Sequence, residues 1–557
     1  MSPWSPFRYR VFRALWIAQL MSNVGTWMQT VGAAWLMVEL DASPAVIALV
    51  QTATYLPVVL FGVAAGAVAD LVDRRRLLLV TQLFMLTAAG ALAVLTAVGA
   101  TNPLSLLALT FALGMGTAFN LPAWQAIQPE LVPREDFPQA VTLGGASINL
   151  GRAIGPAVGG ALIVAAGPWL VFALNAASFA AVVVVLWRWR RRVEEDPTPP
   201  ERFAGALRAG LRFALFSHTL YGVLVRSFAF ALAGAGLLAL LPVYSSRVLG
   251  LGAGGLGLLY AGFGIGAVLA AAFLPTLRRR LSADWVFALG TLLVAAVLLG
   301  LAVVSTAWLA LLVTVVAGVG WLFCLTVLNV ASQEVLPGWV RARGLALYLT
   351  VLAGGIAAGS WGWGRLADAV GSQAAFAWAA PLLAATLLLA VRWRFSIIAR
   401  LDLSPAPMAA PETRLSVEDT SSPVLVVHAY EVRPEAEDEF LHAVRSLGRA
   451  RRRTGAVSWS IYEDVDRPHR FIETYVVPTW DEHMRQHGRR TASDAALQGQ
   501  VQRFLREGSE QTARHFVAPP EPTFMDVLRE RSPGHIEERL RVLHPHEEPP
   551  EPGRPEE

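Results

Sequence analysis

The chain has 557 residues, 54% hydrophobic and only 16% charged, with a mean hydropathy of +0.47, which excludes an ordinary soluble globule and points to an integral membrane protein. Charge divides along it: residues 1–400 hold 26 arginines against 14 acids, and residues 401–557 hold 20 against 28. All 46 basic residues are arginine, so there is neither a Walker A lysine nor a Schiff-base amine, and Cys324, the one cysteine, excludes an intrachain disulfide and a multi-cysteine metal site.

Apolar runs long enough to cross about 30 Å of hydrocarbon lie near residues 13–38, 44–69, 77–99, 103–128, 137–166, 168–188, 219–246, 252–276, 284–304, 307–333, 341–369 and 372–393. The first is too long for a signal-peptide core and is read as a retained span. None alternates apolar with polar residues as barrel strands do, so the expectation is twelve transmembrane helices.

A shift of 204 residues lays the first half on the second without a gap. Gly62 falls on Gly266, Arg74–Arg76 on Arg278–Arg280, Gly114 and Gly116 on Gly318 and Gly320, and Phe119 on Phe323. Glu130 falls on Glu334, Pro133 on Pro337, Gly155 on Gly359, Gly167 on Gly371, and "RWR" at 188–190 on "RWR" at 392–394. Six spans per copy is an even number, so the copies are expected to be parallel repeats, with a path between them. With the N-terminus inside, the inner segments collect 22 arginines and the outer ones keep Arg247 and Arg365, which places both chain ends in the cytoplasm.

The opening "FRALWIAQLMSNVGTWMQTVGAAWLM", the loop "GAVADLVDRRR", "QPELVPREDFPQAVTLGGASINLGRAIGPAVGG" and the duplicated plan together resemble the major facilitator superfamily, in particular its bacterial siderophore and drug exporters, over residues 8–395. In the family's loop motif after the second span, Gly66, Asp70, Arg74 and Arg75 match, while Leu71 stands for a basic residue and Asp73 for a glycine. The resemblance implies a latch that stabilises the outward-facing state. "GRAIGPAVGG" in the fifth span fills the family's antiporter motif with Gly151, Gly155, Pro156, Gly159 and Gly160. It implies export by antiport, and its small residues equally serve close helix packing. The fourth span lacks the arginine that proton-exchanging relatives carry, so no coupling residue follows from the resemblance.

Charge inside a span is costly, so each instance is a functional hypothesis. Arg152 in the fifth span and Arg226 in the seventh qualify, against the readings that Arg152 snorkels or pairs with a loop acid and that Arg226 lies only a turn inside its helix. Asp368 shares a helical face with Arg365, which suggests an internal ion pair. Glu39 and Asp368, near the outer ends of their spans, are the candidates for proton coupling. Candidates to line the path are Asn23, Trp27, Gln29, Gln51, Tyr55, Asn120, Gln125, Asn149, Arg226, Asn329 and Gln333, and most of the neutral ones equally suit helix-to-helix hydrogen bonds. A path so poor in charge suits an apolar or amphipathic substrate.

After a linker rich in proline, serine and alanine the period changes. "VLVVHAYEV", "AVSWSIYEDV", "RFIETYVV" and "RHFVA" read as strands, and the segment after Pro434 and that from Thr479 to Glu507 read as helices. This βαββαβ order predicts a ferredoxin-like unit and, with "FIETYVVPTWDEHMRQH", resembles antibiotic-biosynthesis monooxygenase domains, which often act as dimers without cofactor. His483 and His487, four apart on a helix, could share a ligand, while a two-histidine pair without a nearby acid is more often a solvated face.

The expected fold is an α-helical polytopic membrane protein with 12 transmembrane helices as two parallel six-helix repeats, plus a C-terminal α+β ferredoxin-like domain. Its parts are an N-terminal bundle (1–189), a basic central cytoplasmic loop (190–217), a C-terminal bundle (218–395), a linker (396–422), the ferredoxin-like domain (423–518) and a tail rich in proline and glutamate, read as disordered (519–557). The expected function is export of small, largely apolar or amphipathic molecules across the cytoplasmic membrane, coupled to protons, with no cofactor, no metal and no nucleic-acid partner, and with dimerisation through the C-terminal domain as an option. The rival is a membrane-tethered, cofactor-independent monooxygenase or sensor. Twelve spans and matched halves exceed what an anchor needs.

Overall fold

The computed structural model describes residues 2–189, 203–408, 411, 422–507 and 513–518, without the side chains of residues 67, 70, 71, 203–207, 399 and 400. The arginines at 190–192 and 202, much of the linker and the tail from 519 lie outside the described residues. The chain divides into two compact units, Met1–Ser404 with Thr491–Ser493, and Pro405–Arg490 with Asp494–Glu557.

The first unit is helical. Its first group is α1 (Arg10–Glu39), α2 (Pro44–Leu71), α3 (Arg74–Ala97), α4 (Pro103–Ile127), α5 (Phe137–Ala166) and α6 (Pro168–Arg188). After α7 (Phe203–Phe216) come α8 (His218–Gly234), α9 (Gly236–Arg247), α10 (Ala253–Arg280), α11 (Ala283–Val303), α12 (Ala307–Glu334), α13 (Arg341–Val370), α14 (Ser372–Ala385) and the short α15 (Leu389–Arg392). Local chemistry sets the starts: Pro44, Pro103 and Pro168 occupy first turns, where no amide donor is needed, and Asn102 with Ser105 forms a reciprocal cap on α4. Gly167 and Gly371, each at a tight helix-to-helix junction, hold φ of 89° and 85°, values that L side chains rarely adopt.

Among the described residues eleven helical segments are long and apolar enough to cross a membrane, α8–α9 and α14–α15 each forming one. The sequence suggests twelve. The difference is α1, a 30-residue helix whose apolar character is diluted by Gln19, Asn23 and Gln29. The central loop also departs from expectation, because α7 is a helix there; its Phe213 packs edge-on against Trp339 at 5.7 Å.

Within the first group α1 packs on α5 and α6, α2 on α4, and α3 on α4 and α6. Within the second, α8 packs on α13, α10 on α12, and α11 on α12 and α14. The groups meet chiefly through α2 against α13 and α5 against α10.

The second unit contains β1 (Val424–Glu431), α16 (Glu437–Thr454), β2 (Ser458–Glu463), β3 (Arg470–Val477), α17 (Trp480–Gly488), α18 (Ala492–Gln502) and β4 (Ala513–Val517). Its sheet has the order β2-β3-β1-β4, antiparallel throughout, with Val427 opposite Thr474 and His428 opposite Ala513. Strand β3 alternates half-buried with buried residues, and Phe471 joins Phe440, Val444 and Leu447 of α16 in the core. The single helix expected from Thr479 to Glu507 is two. It breaks after Gly488, where the buried Arg489 turns its guanidinium onto Glu482 (2.5 Å) and the Thr454 carbonyl (3.0 Å).

Candidate functional site

The glycines of α5 divide between two neighbours. A Cβ at Gly151, Gly155 or Gly159 would come within 2.9 Å of Asn23, 2.7 Å of Trp27 and 3.0 Å of Met28, all on α1. One at Gly160 would lie 2.9 Å from the Ala253 carbonyl and 3.0 Å from Gly257 on α10, and the Pro156 carbonyl would lie 2.6 Å from a Cβ at Gly257. The motif therefore lets α5 touch the backbone of α1 on one side and of α10 on the other.

Arg152 projects from this helix beside Trp27, its guanidinium carbon 5.3 Å from the ring centroid, a cation–π geometry. Its Nε is buried, and among the described residues the guanidinium has neither a hydrogen-bond partner nor an acid. Tyr55 of α2 lies within electrostatic reach. One turn earlier Gln51 hydrogen-bonds Tyr260 of α10, whose hydroxyl also donates to the Leu238 carbonyl at 2.9 Å. Helices α1, α2, α5 and α10 thus bring Trp27, Tyr55, Arg152, Gln51 and Tyr260 together where the two groups meet. The pairing of Arg152 with a loop acid is not found among the described residues.

The other polar candidates scatter. Asn23 donates to Ser147 on α5 at 2.9 Å, Asn175 of α6 donates to the buried Gln29, and Asn120 accepts from Gln82 of α3 at 3.2 Å, so all three tie helices within the first group. Gln333 donates to Asn329 one turn away on α12 at 2.5 Å, and both are exposed, as is Gln125, while Asn149 is half-buried.

At the Pro44 end the groups are bolted together. Asp368 does not pair with Arg365: its carboxylate accepts from the Ala45 amide at 3.0 Å and the Ser43 hydroxyl at 3.2 Å, capping α2 from α13. Arg247 donates to the Ala42 carbonyl at 3.1 Å, and Thr52 to the Ala357 carbonyl at 2.9 Å. Gly364 packs against Ala45 and Ala48. Glu39, exposed at the end of α1, accepts from Trp35 at 2.7 Å. Toward the Arg74 end, Gly66 on α2 and Gly145 on α5 have nothing within 4 Å of a Cβ.

The loop after α2 is held within the first group. Asp73 caps α3 by accepting from the Arg76 amide at 2.8 Å, which accounts for an acid where the family motif has glycine. Arg74 bonds Glu130 at 2.9 Å, and Arg75 donates to the Leu186 and Trp187 carbonyls at 2.8 Å, satisfying the end of α6. These arginines do more than mark topology. Asp70 lies in the last turn of α2, and its side chain is outside the described residues.

Arg226, considered for the path, is instead closed into a corner of the second group. It is 1% exposed, donates to Asp284 at 3.1 Å and the Trp393 carbonyl at 2.8 Å, and stacks 3.6 Å from the Phe395 ring centroid. Asp284 also accepts from the Phe395 and Ser396 amides at 3.0 Å. These bonds fasten α8 and α11 to the segment after α15.

In the second unit, Glu473 is fully buried and accepts from Tyr430 at 2.6 Å and Trp459 at 2.7 Å, with Arg451 3.7 Å away. Burial alone would raise its pKa, but Arg451, His428 and the two hydrogen bonds outweigh that and hold it below the usual carboxylate range. His428, buried beside Arg451, is pushed down to about 4, chiefly by desolvation. His483 is 0% exposed and stacks near His487 and His515, so the solvated-face reading of that pair is wrong.

Residues 1–523 match a major facilitator family model described as "Transmembrane secretion effector". The chain belongs to this family of transporters. Relatives agree: an uncharacterised major-facilitator-type transporter, YfiS, of Bacillus subtilis is 30% identical over 35% of this chain and 47% of its own length. The Staphyloferrin A transporter of Staphylococcus aureus is 25% identical over 50% of this chain and 70% of its own, and the multidrug efflux pump Tap of Mycolicibacterium fortuitum 26% identical over 36% and 52%. The chain thus spans about half the length of several curated relatives. In fold it matches a bacterial homologue of the lysosomal transporter Spinster, at TM-score 0.53 and 18% identity over 71% of this chain and 97% of that one. A peptide-transporter-family protein solved with 5-aminolevulinic acid matches at TM-score 0.58 and 14% identity over 69% and 95%. The chain is accordingly a multi-pass membrane protein of a transporter family.

Sequence reading singled out Arg152, Tyr55, Gln51 and Trp27, but it missed Tyr260, Ser43, Asp284 and His515. Ser43 before Pro44 carried a capping signal; the others join only through tertiary contact.

Proposed function

We propose that the chain is a secondary active exporter in the bacterial cell membrane, moving small amphipathic molecules by alternating access in exchange for protons. The observation that carries this reading is Arg152, a cation without an acid partner among the described residues, set beside Trp27 and within electrostatic reach of Tyr55 where the groups meet. A cation on an aromatic wall suits a substrate with an apolar body and one anionic or strongly polar group. Relatives named for a siderophore, for macrolides and for multidrug efflux support that class.

Twelve spans, α1 included, form two parallel six-helix repeats in this reading, and the 204-residue offset supports it through contacts. Gly155 packs on α1 as its counterpart Gly359 packs on Leu232 of α8, and Gly160 on α10 as Gly364 on α2. Gly114 and Gly318 approach α2 and α10, and Gly116 and Gly320 approach α3 and α11. Arginine counting places the Arg74 end and both termini in the cytoplasm. The contacts of Asp368, Arg247 and Thr52 support the reading of this arrangement as inward-facing and closed outside. Asp368 is the stronger coupling candidate, because its protonation weakens the cap that joins the halves, and Glu39 is the lesser one. Gly66, Asp70, Asp73, Arg74 and Arg75 form the opposing cytoplasmic latch, closed in the outward-facing state. The C-terminal unit is a ferredoxin-like module, supported by its strand order, and is a means of dimerisation.

Susceptibility of cells expressing the chain tests the site. Arg152→Ala should abolish resistance to exported amphipathic compounds at normal membrane abundance; full resistance in that variant would refute the assignment.

A further inference from the structure

We infer that the C-terminal unit carries a three-histidine site for a divalent transition-metal ion, built from His483 and His487 of α17 and His515 of β4. One ring nitrogen from each lies within 4.8 Å of the others. Tetrahedral zinc sets imidazole nitrogens about 3.3 Å apart, so small side-chain rotations close the set around an ion. The geometry has a simple origin. A four-residue spacing stacks His483 and His487 on one helical face, ring centroids 4.7 Å apart, and β4, paired to β1 at the sheet edge, sets His515 4.9 Å from His483.

A second, independent observation points to a ligand. The Nδ1 of His483 faces the Gln486 carbonyl oxygen at 3.3 Å. Gln486 is oriented by its own amide nitrogen, which donates to the Arg451 carbonyl at 3.2 Å and the Thr454 hydroxyl at 3.3 Å. Its oxygen is therefore the atom turned to His483, which puts the imidazole proton on Nδ1 and the lone pair on Nε2. That Nε2 is buried and has no hydrogen-bond partner. An orphaned buried acceptor is costly, and a bound cation satisfies it. An amide fixing the tautomer of a ligating histidine is the usual outer support of such sites.

The donor set selects the ion. Three imidazoles without a carboxylate suit zinc, copper, nickel or cobalt and disfavour magnesium and calcium, which want oxygen ligands. Three protein ligands also leave a position open for water or a small ligand. The site is independent of the transport reading.

The test uses the full chain purified in detergent without a polyhistidine tag, stripped with a chelator and titrated with Co2+, then Zn2+. One Co2+ per chain, with a visible d–d band displaced by Zn2+, is expected. His515→Gln, at a half-buried position, should weaken binding at least tenfold with unchanged melting, while His442→Gln, exposed on α16, binds as wild type. Should His515→Gln perturb the fold, His515→Cys, which keeps a ligand, decides: it should retain the ion. No stoichiometric binding by the wild type, unaltered binding in a folded His515→Gln, or loss of the ion in a folded His515→Cys overturns the site.

Discussion

The carboxylate of Asp368 accepts a hydrogen bond from the Ala45 amide at 3.0 Å, and so joins the last turn of α13 to the first turn of α2. The charge faces the positive end of a helix whose amides have no partners of their own. Such a contact is strong enough to bias an equilibrium between two arrangements and weak enough to be broken reversibly.

Asp368→Asn removes the charge and keeps an acceptor. It should favour separation of α2 and α13 at the Pro44 end by roughly two- to fivefold, the usual worth of a charge at a helix N-terminus. Distance measurements between spin labels on the two helices report this as a larger long-distance population. An unchanged distribution would remove Asp368 from the gate.

Arg226 makes a different kind of contact. At 1% exposure its partners are fixed, and Arg226→Met leaves Asp284 with two amide donors but no cation. Breaking one side of a buried pair costs about 3 kcal/mol, so the variant should melt earlier in detergent, whereas a transport defect at unchanged melting would return Arg226 to the substrate path.

The C-terminal unit should lose stability in acid. Glu473 is held below its ordinary pKa in the folded state, so its contribution is present above the ordinary carboxylate range and is lost as pH falls through the folded value. His428, neutral when folded and pushed to about 4, acts in the same direction below its ordinary 6.5. Hydrogen-exchange protection factors in β1 and β3, corrected for the intrinsic rate at each pH, should fall from near pH 6 downward, and Glu473→Gln should flatten the carboxylate part of that dependence. Uniform protection from pH 7 to pH 4 would contradict it.

What the sequence exposes and what it hides follow from the physics of each signal. Spans and packing glycines are local patterns: a membrane helix needs apolar residues in succession, and close backbone approach needs Gly151, Gly155 and Gly159 at helical spacing. Arg152 stood out because charge in apolar sequence is costly. The partners did not. Asp368 meets Ser43 and Ala45, Arg226 meets Asp284, and His515 meets α17 only once helices pack or strands pair, and no periodicity encodes those meetings. Helix α7 escaped notice because its arginines, Arg208 and Arg212, read as loop.

The central claim is gradient-driven export through the site at Arg152. Its most direct measurement is accumulation of an amphipathic fluorescent compound in liposomes containing the purified chain, with and without an acidic lumen, against protein-free liposomes that record passive trapping. Accumulation above that control only with the gradient, and its loss in Arg152→Ala, is the predicted result. Accumulation indifferent to the gradient, or undiminished in Arg152→Ala, would contradict the account.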